Sequence, residues 1–313
     1  MTECALIPKV AIVIGGPTAA GKTGIGEKVA EILDGEIISA DSRQIYRGLD
    51  IGTAKPVDSP VRHHLLDVVS PQERFNAAEF VRRALEVMDS LRARGKVPIV
   101  VGGTGLYIRA LTVGFFPGDF KSEQIRRQLA ERYRRGEDLY AWLKQVDPIA
   151  AEKIDPRNYV RIERALEVYL VSGKPISYWW RHATKPPSDW KFLKFFITME
   201  REKLYERIAR RTEKMLESGW IDEVRCLLEQ GVPPDSPGLT SIGYRQIVRY
   251  LQGEIDYETM KAEIIRETKN YAKRQITWFK KEPGCVLIDV TKKSSEEAAR
   301  QIVDCYYRRV FGG

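Results

Sequence analysis

Short unbroken apolar runs alternate along this chain with amphipathic stretches, the rhythm of strands buried on both faces and of helices that cover them. Residues 10–14 form the first such run, and 24–33 read as the helix behind it. The strand pattern returns at 36–40 and 97–101. Between these, Phe80, Ala84, Val87, Met88 and Leu91 recur at three- and four-residue spacing, which predicts a helix over 76–94 that Gly95 stops. The rhythm breaks at Phe115-Phe116-Pro117-Gly118. From there to Lys191 no run reads as a buried strand, and helical stretches at 122–135, 139–146 and 159–171 are punctuated by Gly136, Pro148, Pro156, Gly173 and Pro175. After a linker at Lys185-Pro186-Pro187, residues 192–198 rejoin the sheet. A helix over 201–218 with Leu204, Ile208, Met215 and Leu216 on its core face follows, then a strand at 285–290 and a closing helix at 294–309. The expected fold is α/β: a P-loop NTPase-like parallel sheet flanked by helices, built from 1–116 and 192–313, with an all-helical domain inserted at 117–191.

The first apolar run empties into Gly16-Pro17-Thr18-Ala19-Ala20-Gly21-Lys22-Thr23. GxxxxGK[ST] between a strand and a helix is a phosphate-binding loop, whose glycines let successive N–H groups point inward at the positive end of the helix dipole. Lys22 supplies a point charge for outer phosphate oxygens, and the Thr23 hydroxyl is placed to hold Mg2+. Such a loop recognises phosphates and not what they are attached to, so a nucleotide is the default occupant.

That default weakens at the second strand, which ends in Asp41-Ser42-Arg43-Gln44, a carboxylate at the carboxyl edge of the sheet beside the loop. A nucleoside triphosphatase needs an acid closing another strand. The third strand ends instead in Gly102-Gly103-Thr104-Gly105. Asp41 therefore stands as metal partner or proton acceptor, and Thr104 as a ligand to substrate or a helix cap. His63 and His64 are adjacent and have no further ligand set near them, which favours an orienting role over a metal site. Arg207 and Arg211 lie one turn apart on the 201–218 helix, either a diphosphate clamp or ordinary surface charge.

Composition changes the picture only modestly. The 313 residues, 43% hydrophobic and 30% charged, describe a globular protein of about two domains. No apolar run approaches the roughly 20 residues that span a bilayer and no signal-peptide pattern opens the chain, so the expected setting is the cytoplasm. Cys4, Cys226, Cys285 and Cys305 are scattered and read as reduced thiols. A net charge of +8 points to a polyanionic partner, and its placement says more than its size. From Arg266 to Lys281 six basic residues stand against Glu267, with Tyr271, Trp278 and Phe279 interleaved. A core helix with a solvated basic face and an RNA-contacting helix both produce this pattern. Arg126, Arg127, Arg157, Arg161 and Arg164 lie in the insertion, the last three expected on one helical face.

GPTAAGKT (16–23), ISADSRQIYRGLDIGTAKP (38–56), HHLLD (63–67), VGGTGLY (101–107), SIGYRQ (241–246) and YAKRQITWFKK (271–281) occur in this order, and together they resemble the tRNA dimethylallyltransferase family. The resemblance implies transfer of a dimethylallyl group from dimethylallyl diphosphate to the exocyclic amine of the adenosine immediately 3′ of the anticodon, with release of diphosphate. It implies that residues 16–23 hold the diphosphate with Mg2+ on Thr23, that Asp41 is the catalytic base, and that Thr104 orients the amine. It also implies that the insertion grips the anticodon arm of tRNA. The RNA contacts would come from Asp41, Ser42, Arg43, Gln44 and Thr104 at the strand ends, and from Arg126, Val160, Arg161, Ile162, Glu163 and Arg164 in the insertion. Thr240, Gly243, Tyr244 and Arg245, and then Lys273, Arg274 and Gln275, would complete them. Nothing in this reading demands more than a monomer. Its rivals are a P-loop phosphotransferase, an adenylate isopentenyltransferase acting on a free nucleotide, and a non-catalytic RNA-binding protein.

Overall fold

The computed structural model describes residues 7–114, 120–182 and 188–312. The break expected at 115–118, the linker at 185–187 and Cys4 lie outside them. The chain divides into two compact units, one of Met1–Thr112 with Ser188–Gly313 and one of Val113–Pro187, against the 117–191 insertion read from composition.

The first unit opens with β1 (Val10–Gly15), α1 (Lys22–Leu33), β2 (Gly35–Ser39), β3 (His63–His64), α2 (Ala77–Ala93), β4 (Val97–Gly102) and α3 (Gly105–Thr112). The two-residue strand β3 was not expected from the pattern, which is too short there to alternate. It pairs with the outer side of β2, where His64 Nε2 meets Glu36 Oε2 at 2.6 Å and His63 Nε2 lies 3.2 Å from Glu27 Oε1. The orienting role is thus one of pinning a sheet edge.

In the second unit are α4 (Glu123–Arg134), α5 (Leu139–Val146), α6 (Pro148–Lys153), α7 (Tyr159–Ser172) and α8 (Ile176–His182). Pro148, expected to interrupt, starts α6, because a proline at the first helical position lacks only an N–H that would have no partner there. Asp147, 2% exposed, accepts from Ala150 N–H at 3.0 Å and from Ser177 N–H at 2.8 Å, so one buried carboxylate serves the starts of α6 and α8. Leu129, Leu143, Ile162, Leu166 and Ile176 form the core. Arg157 does not share a face with Arg161 and Arg164. It precedes the Asn158 cap of α7 and turns back to Asp155.

The first unit resumes with β5 (Lys191–Thr198), α9 (Arg201–Glu217), α10 (Trp220–Glu229), α11 (Tyr244–Leu251), α12 (Tyr257–Phe279), β6 (Cys285–Asp289) and α13 (Ser295–Val310). Among the described residues the strands form one parallel sheet in the order β3-β2-β4-β1-β5-β6. β1, β2 and β4 are buried along their whole length, because alternate residues face opposite helical layers. Ile12 and Ile14 pack with Ile25, Val29, Ala299 and Ile302 of α1 and α13. Ala11 and Val13 pack with Phe80, Met88, Ile108 and Leu111 of α2 and α3. A third cluster, Ile45, Leu49, Trp220, Val224, Tyr244, Ile247 and Ile264, gathers α10, α11 and α12 around the segment that leaves β2. Parallel sheets place ligands at the carboxyl ends of their strands, and here that edge carries a helical platform.

Candidate active site

β1 hands the chain to Gly16, whose φ of 152° and position against the Ile197 carbonyl, 2.6 Å from where a Cβ would stand, exclude a side chain. Ala19 and Gly21 hold left-handed conformations, φ 62° and 86°, so the backbone curls into a cradle ahead of α1. Gly21 caps α1 without a side-chain bond, which leaves the first amides of the helix pointing at the cradle. Lys22 folds back and donates to the Pro17 carbonyl at 2.6 Å. Burial pushes its amine down to about 8, Asp41 pulling it up and Arg211 adding to the fall.

The end of β2 is fixed by the turn beyond β4. Ala40 N–H donates to Val101 O at 2.8 Å, and Thr104 N–H donates to Ala40 O at 3.1 Å. The Thr104 hydroxyl accepts from Ser42 N–H at 2.9 Å, so it secures the segment carrying Asp41 instead of capping its own helix. Asp41 Oδ1 accepts from Arg43 N–H at 2.8 Å, a turn that leaves Oδ2 for other partners. Tyr271 stands beside Thr104, and burial, with Asp41 behind it, pushes that phenol up to about 12.

Two cavities meet here. One of about 460 Å³ runs over Gly21, Lys22 and Thr23 and is lined by five basic side chains, Lys22, Arg207, Arg210, Arg211 and Lys214, against the single acid Asp41. The other, of about 400 Å³, has Ile208, Met215, Trp220, Ile242 and Ile264 in its wall, interleaved with Thr212, Ser241 and Thr268 and with Arg43, Arg245 and Arg274. Thr18, Ala19, Asp41, Thr53, Arg211 and Tyr271 line both and mark the junction.

Arg207, Arg210, Arg211 and Lys214 stand at i, i+3, i+4 and i+7 on α9 and face the loop as one stripe. Arg210 and Lys214 went unread in the sequence, although that spacing was the signal for them. Burial pulls Arg211 below the usual arginine range, with Asp41 opposing. Thr53 reaches the junction through a loop that Gln44 holds, donating to the carbonyls of Thr53 and Ala54 at 3.2 Å while accepting from Ser39 Oγ at 2.8 Å. The buried Lys55 Nζ closes that loop on Asp50 at 2.6 Å and Asp67 at 2.5 Å. Glu223 of α10 accepts from the N–H groups of Asp50 and Ile51, at 2.9 and 2.7 Å, and from the Tyr244 hydroxyl at 2.6 Å. None of these loop ties could be read from spacing.

Of the expected RNA contacts, Lys273 and Arg274 are exposed, as is Arg43, which donates to Pro237 O at 3.2 Å. Thr240 is exposed, Arg245 pairs with Glu267, and Gly243 lies flat against the Trp220 ring. Tyr244, 1% exposed, lines the 400 Å³ cavity and lies beneath any outer surface. Gln275 is buried between backbone groups. In the second unit Val160 and Arg161 are exposed, Glu163 is half-buried, and Arg126 and Arg164 both end on buried Glu167, at 2.8 and 2.6 Å. Ile162 is a correction: at 3% exposure it belongs to the core of that unit and has no surface to offer RNA.

Fold and site together define a phosphate-loop α/β protein whose cationic cavity adjoins a second cavity of mixed polar and apolar lining. The sequence model of the IPP transferase family matches residues 44–282. The tRNA dimethylallyltransferase of Carboxydothermus hydrogenoformans is 41% identical over 298 residues, 93% of this chain and 96% of its own. The tRNA dimethylallyltransferase 2 of Geotalea uraniireducens is 46% identical over 276 residues, 87% of this chain and 89% of its own. Among solved structures, the full-length tRNA isopentenylpyrophosphate transferase of Bacillus halodurans superposes with a TM-score of 0.73 at 35% identity, over 97% of both chains. A eukaryotic dimethylallyltransferase acting on tRNA superposes with a TM-score of 0.80 at 28% identity, over 97% of this chain and 80% of that one. The chain belongs to the IPP transferase family.

Proposed function

We propose that this protein transfers the dimethylallyl group of dimethylallyl diphosphate to the exocyclic amine of the adenosine immediately 3′ of the anticodon in tRNA, releasing diphosphate. The observation that carries the reading is the junction: a cradle for phosphates on one side, a second cavity with Ile208, Met215, Trp220, Ile242 and Ile264 in its wall on the other, and Asp41 between them. The loop amides, Lys22 and Arg211 hold the diphosphate and take up the charge that grows on its oxygens as the allylic carbon–oxygen bond breaks. The bond's electron pair leaves with the diphosphate. As the new carbon–nitrogen bond forms, Asp41 accepts the proton that the amine must lose, and Thr104 keeps Asp41's segment in register.

The Thr23 hydroxyl and the Asp41 carboxylate line the loop cavity, and hard oxygen donors of this kind suit Mg2+. When bound, Mg2+ would add positive charge beside the departing diphosphate. A target adenine must leave its stack to enter a cavity, and unpaired loop bases do so cheaply. On this reading the basic helical unit with Arg126, Val160, Arg161, Glu163 and Arg164 grips the anticodon arm, and Arg43, Thr240, Arg245 and Arg274 contact RNA at the second cavity, with the exposed Lys273 beside them on α12. On this reading the protein works as a monomer in the cytoplasm. No helix among the described residues is long and apolar enough to cross a membrane.

Incubation with labelled dimethylallyl diphosphate and either bulk tRNA or AMP tests the reading. Label is expected in tRNA alone. Label in AMP would favour a free-nucleotide prenyltransferase, and steady phosphate release from ATP with unlabelled RNA would favour a phosphotransferase.

A further inference from the structure

Gln275 lies on α12, 5% exposed, and both ends of its amide are taken by backbone from distant parts of the chain. Its Oε1 accepts from Thr18 N–H in the phosphate loop at 2.9 Å. Its Nε2 donates to the carbonyl of Gly103 at 2.9 Å, in the turn that presents Thr104. Contact on that side is so close that a Cβ on Gly103 would stand 2.2 Å from Nε2. One turn earlier Tyr271 lines the loop cavity, and one turn later Phe279 packs under Gly15, where a Cβ would stand 2.5 Å from the ring. The buried face of α12 thus touches the loop, the strand that feeds it and the acceptor-side turn, while Lys273 and Arg274 on the same helix remain exposed.

We propose that Gln275 is a positioning residue that sets the diphosphate loop and the Thr104–Asp41 segment in one register, so that leaving group and proton acceptor are aligned across the junction. This rests on the proposed transfer reaction. Only an amide fits the two partners: a donor faces one end and an acceptor the other, and a carboxylate would set oxygen against the Gly103 carbonyl. Thr18 N–H is turned to Gln275, so its contribution to the cradle is to the cradle's shape.

The test compares the wild-type protein with Gln275→Glu and Gly103→Ala, the second of which pushes the amide aside without altering it. Three quantities are measured: binding of inorganic diphosphate by calorimetry, RNA affinity by gel shift, and single-turnover transfer with both substrates saturating. Both variants are expected to lose about tenfold or more in transfer rate at saturation, since a misplacement near 1 Å costs up to about a hundredfold. Diphosphate affinity should fall as well, with RNA affinity kept within about twofold, as expected when the exposed Lys273 and Arg274 are untouched. Transfer at the wild-type rate in a folded Gln275→Glu, or a loss explained wholly by weaker RNA binding, would overturn the proposal and make Gln275 either a spectator or an RNA contact. If wild-type protein labels no RNA, the transfer reading fails on its own. Diphosphate affinity then judges the Gln275 bridge separately: unchanged affinity in both variants overturns it, and a shared loss supports it.

Discussion

Lys22 bends back across its own loop to donate to the Pro17 carbonyl at 2.6 Å, and its ammonium is held there against the cost of burial, with Asp41 as the acid acting on it. A bound diphosphate favours the charged amine and raises its pKa. Above pH 8, therefore, diphosphate binding should take up a proton, and affinity should fall by up to about tenfold per pH unit. Calorimetry in buffers of different ionisation enthalpy reads the uptake, which Lys22→Met should abolish together with most binding. The stability sign is the reverse of that for a paired lysine. Between the folded value near 8 and the unfolded 10.5, the unfolded chain binds the proton more readily, so this group adds stability as pH rises through that window. At pH 7 Lys22→Met should raise the Tm of the ligand-free protein.

Asp41→Asn should cut the rate of transfer by about 10²–10⁴-fold, the usual share of a positioned base. Its amide oxygen can still accept from Arg43 N–H, the bond that shapes the turn, so the segment should keep its place. RNA affinity is expected to change little. Single-turnover transfer at the wild-type rate in this variant would remove Asp41 from the proton path.

Arg211 lies at the junction of both cavities and is the least solvated of the basic stripe on α9, where Arg207, Arg210 and Lys214 are exposed. A charge-assisted hydrogen bond is worth about 1.5–3 kcal/mol, so Arg211→Ala should weaken inorganic diphosphate by about 10–100-fold. Arg210→Ala and Lys214→Ala should cost less, and their share should fade with added salt as the Debye length shrinks below about 10 Å. Equal losses at all three positions, equally screened, would mean that the stripe acts as a diffuse field.

In the helical unit the carboxylate of Glu167 is fully buried between Arg126 and Arg164. Burial works to raise its pKa, but the bonds from Arg126, Ser122 N–H and Arg164 outweigh it and hold the group below the ordinary 4.5. Its stabilising share is present above 4.5 and is lost as pH falls through the lower folded value. Glu167→Gln leaves two arginines facing an amide and should cost this unit about 3–5 kcal/mol. Hydrogen exchange over 122–176 should rise in the variant, and RNA affinity should fall with it, because the two arginines lose their fixed orientation.

Much of the sheet was legible because its strands are buried on both faces and cannot be anything but continuous apolar runs. β3 was not, since two residues carry no period, and α6 was hidden by a proline whose meaning depends on whether it stands before or within a helix. Ile162 shows the converse failure. A motif assigns the whole segment from Val160 to Arg164 to RNA, while helix geometry turns one of its five residues inward.

The sequence alone determined the phosphate loop, most of the strands along the chain and the family, because each is written in local spacing: glycines where the backbone must curl, a lysine and a threonine one after the other, apolar runs of strand length. Tertiary structure alone decided that Gln275 faces Thr18 and Gly103, that the Thr104 hydroxyl serves Ser42, that the basic stripe of α9 faces the phosphate loop, and that Asp41 sits where two cavities join. Those relations join residues far apart in the chain. They exist only once burial of the apolar faces has brought the strand ends and α9 and α12 to one edge of the sheet.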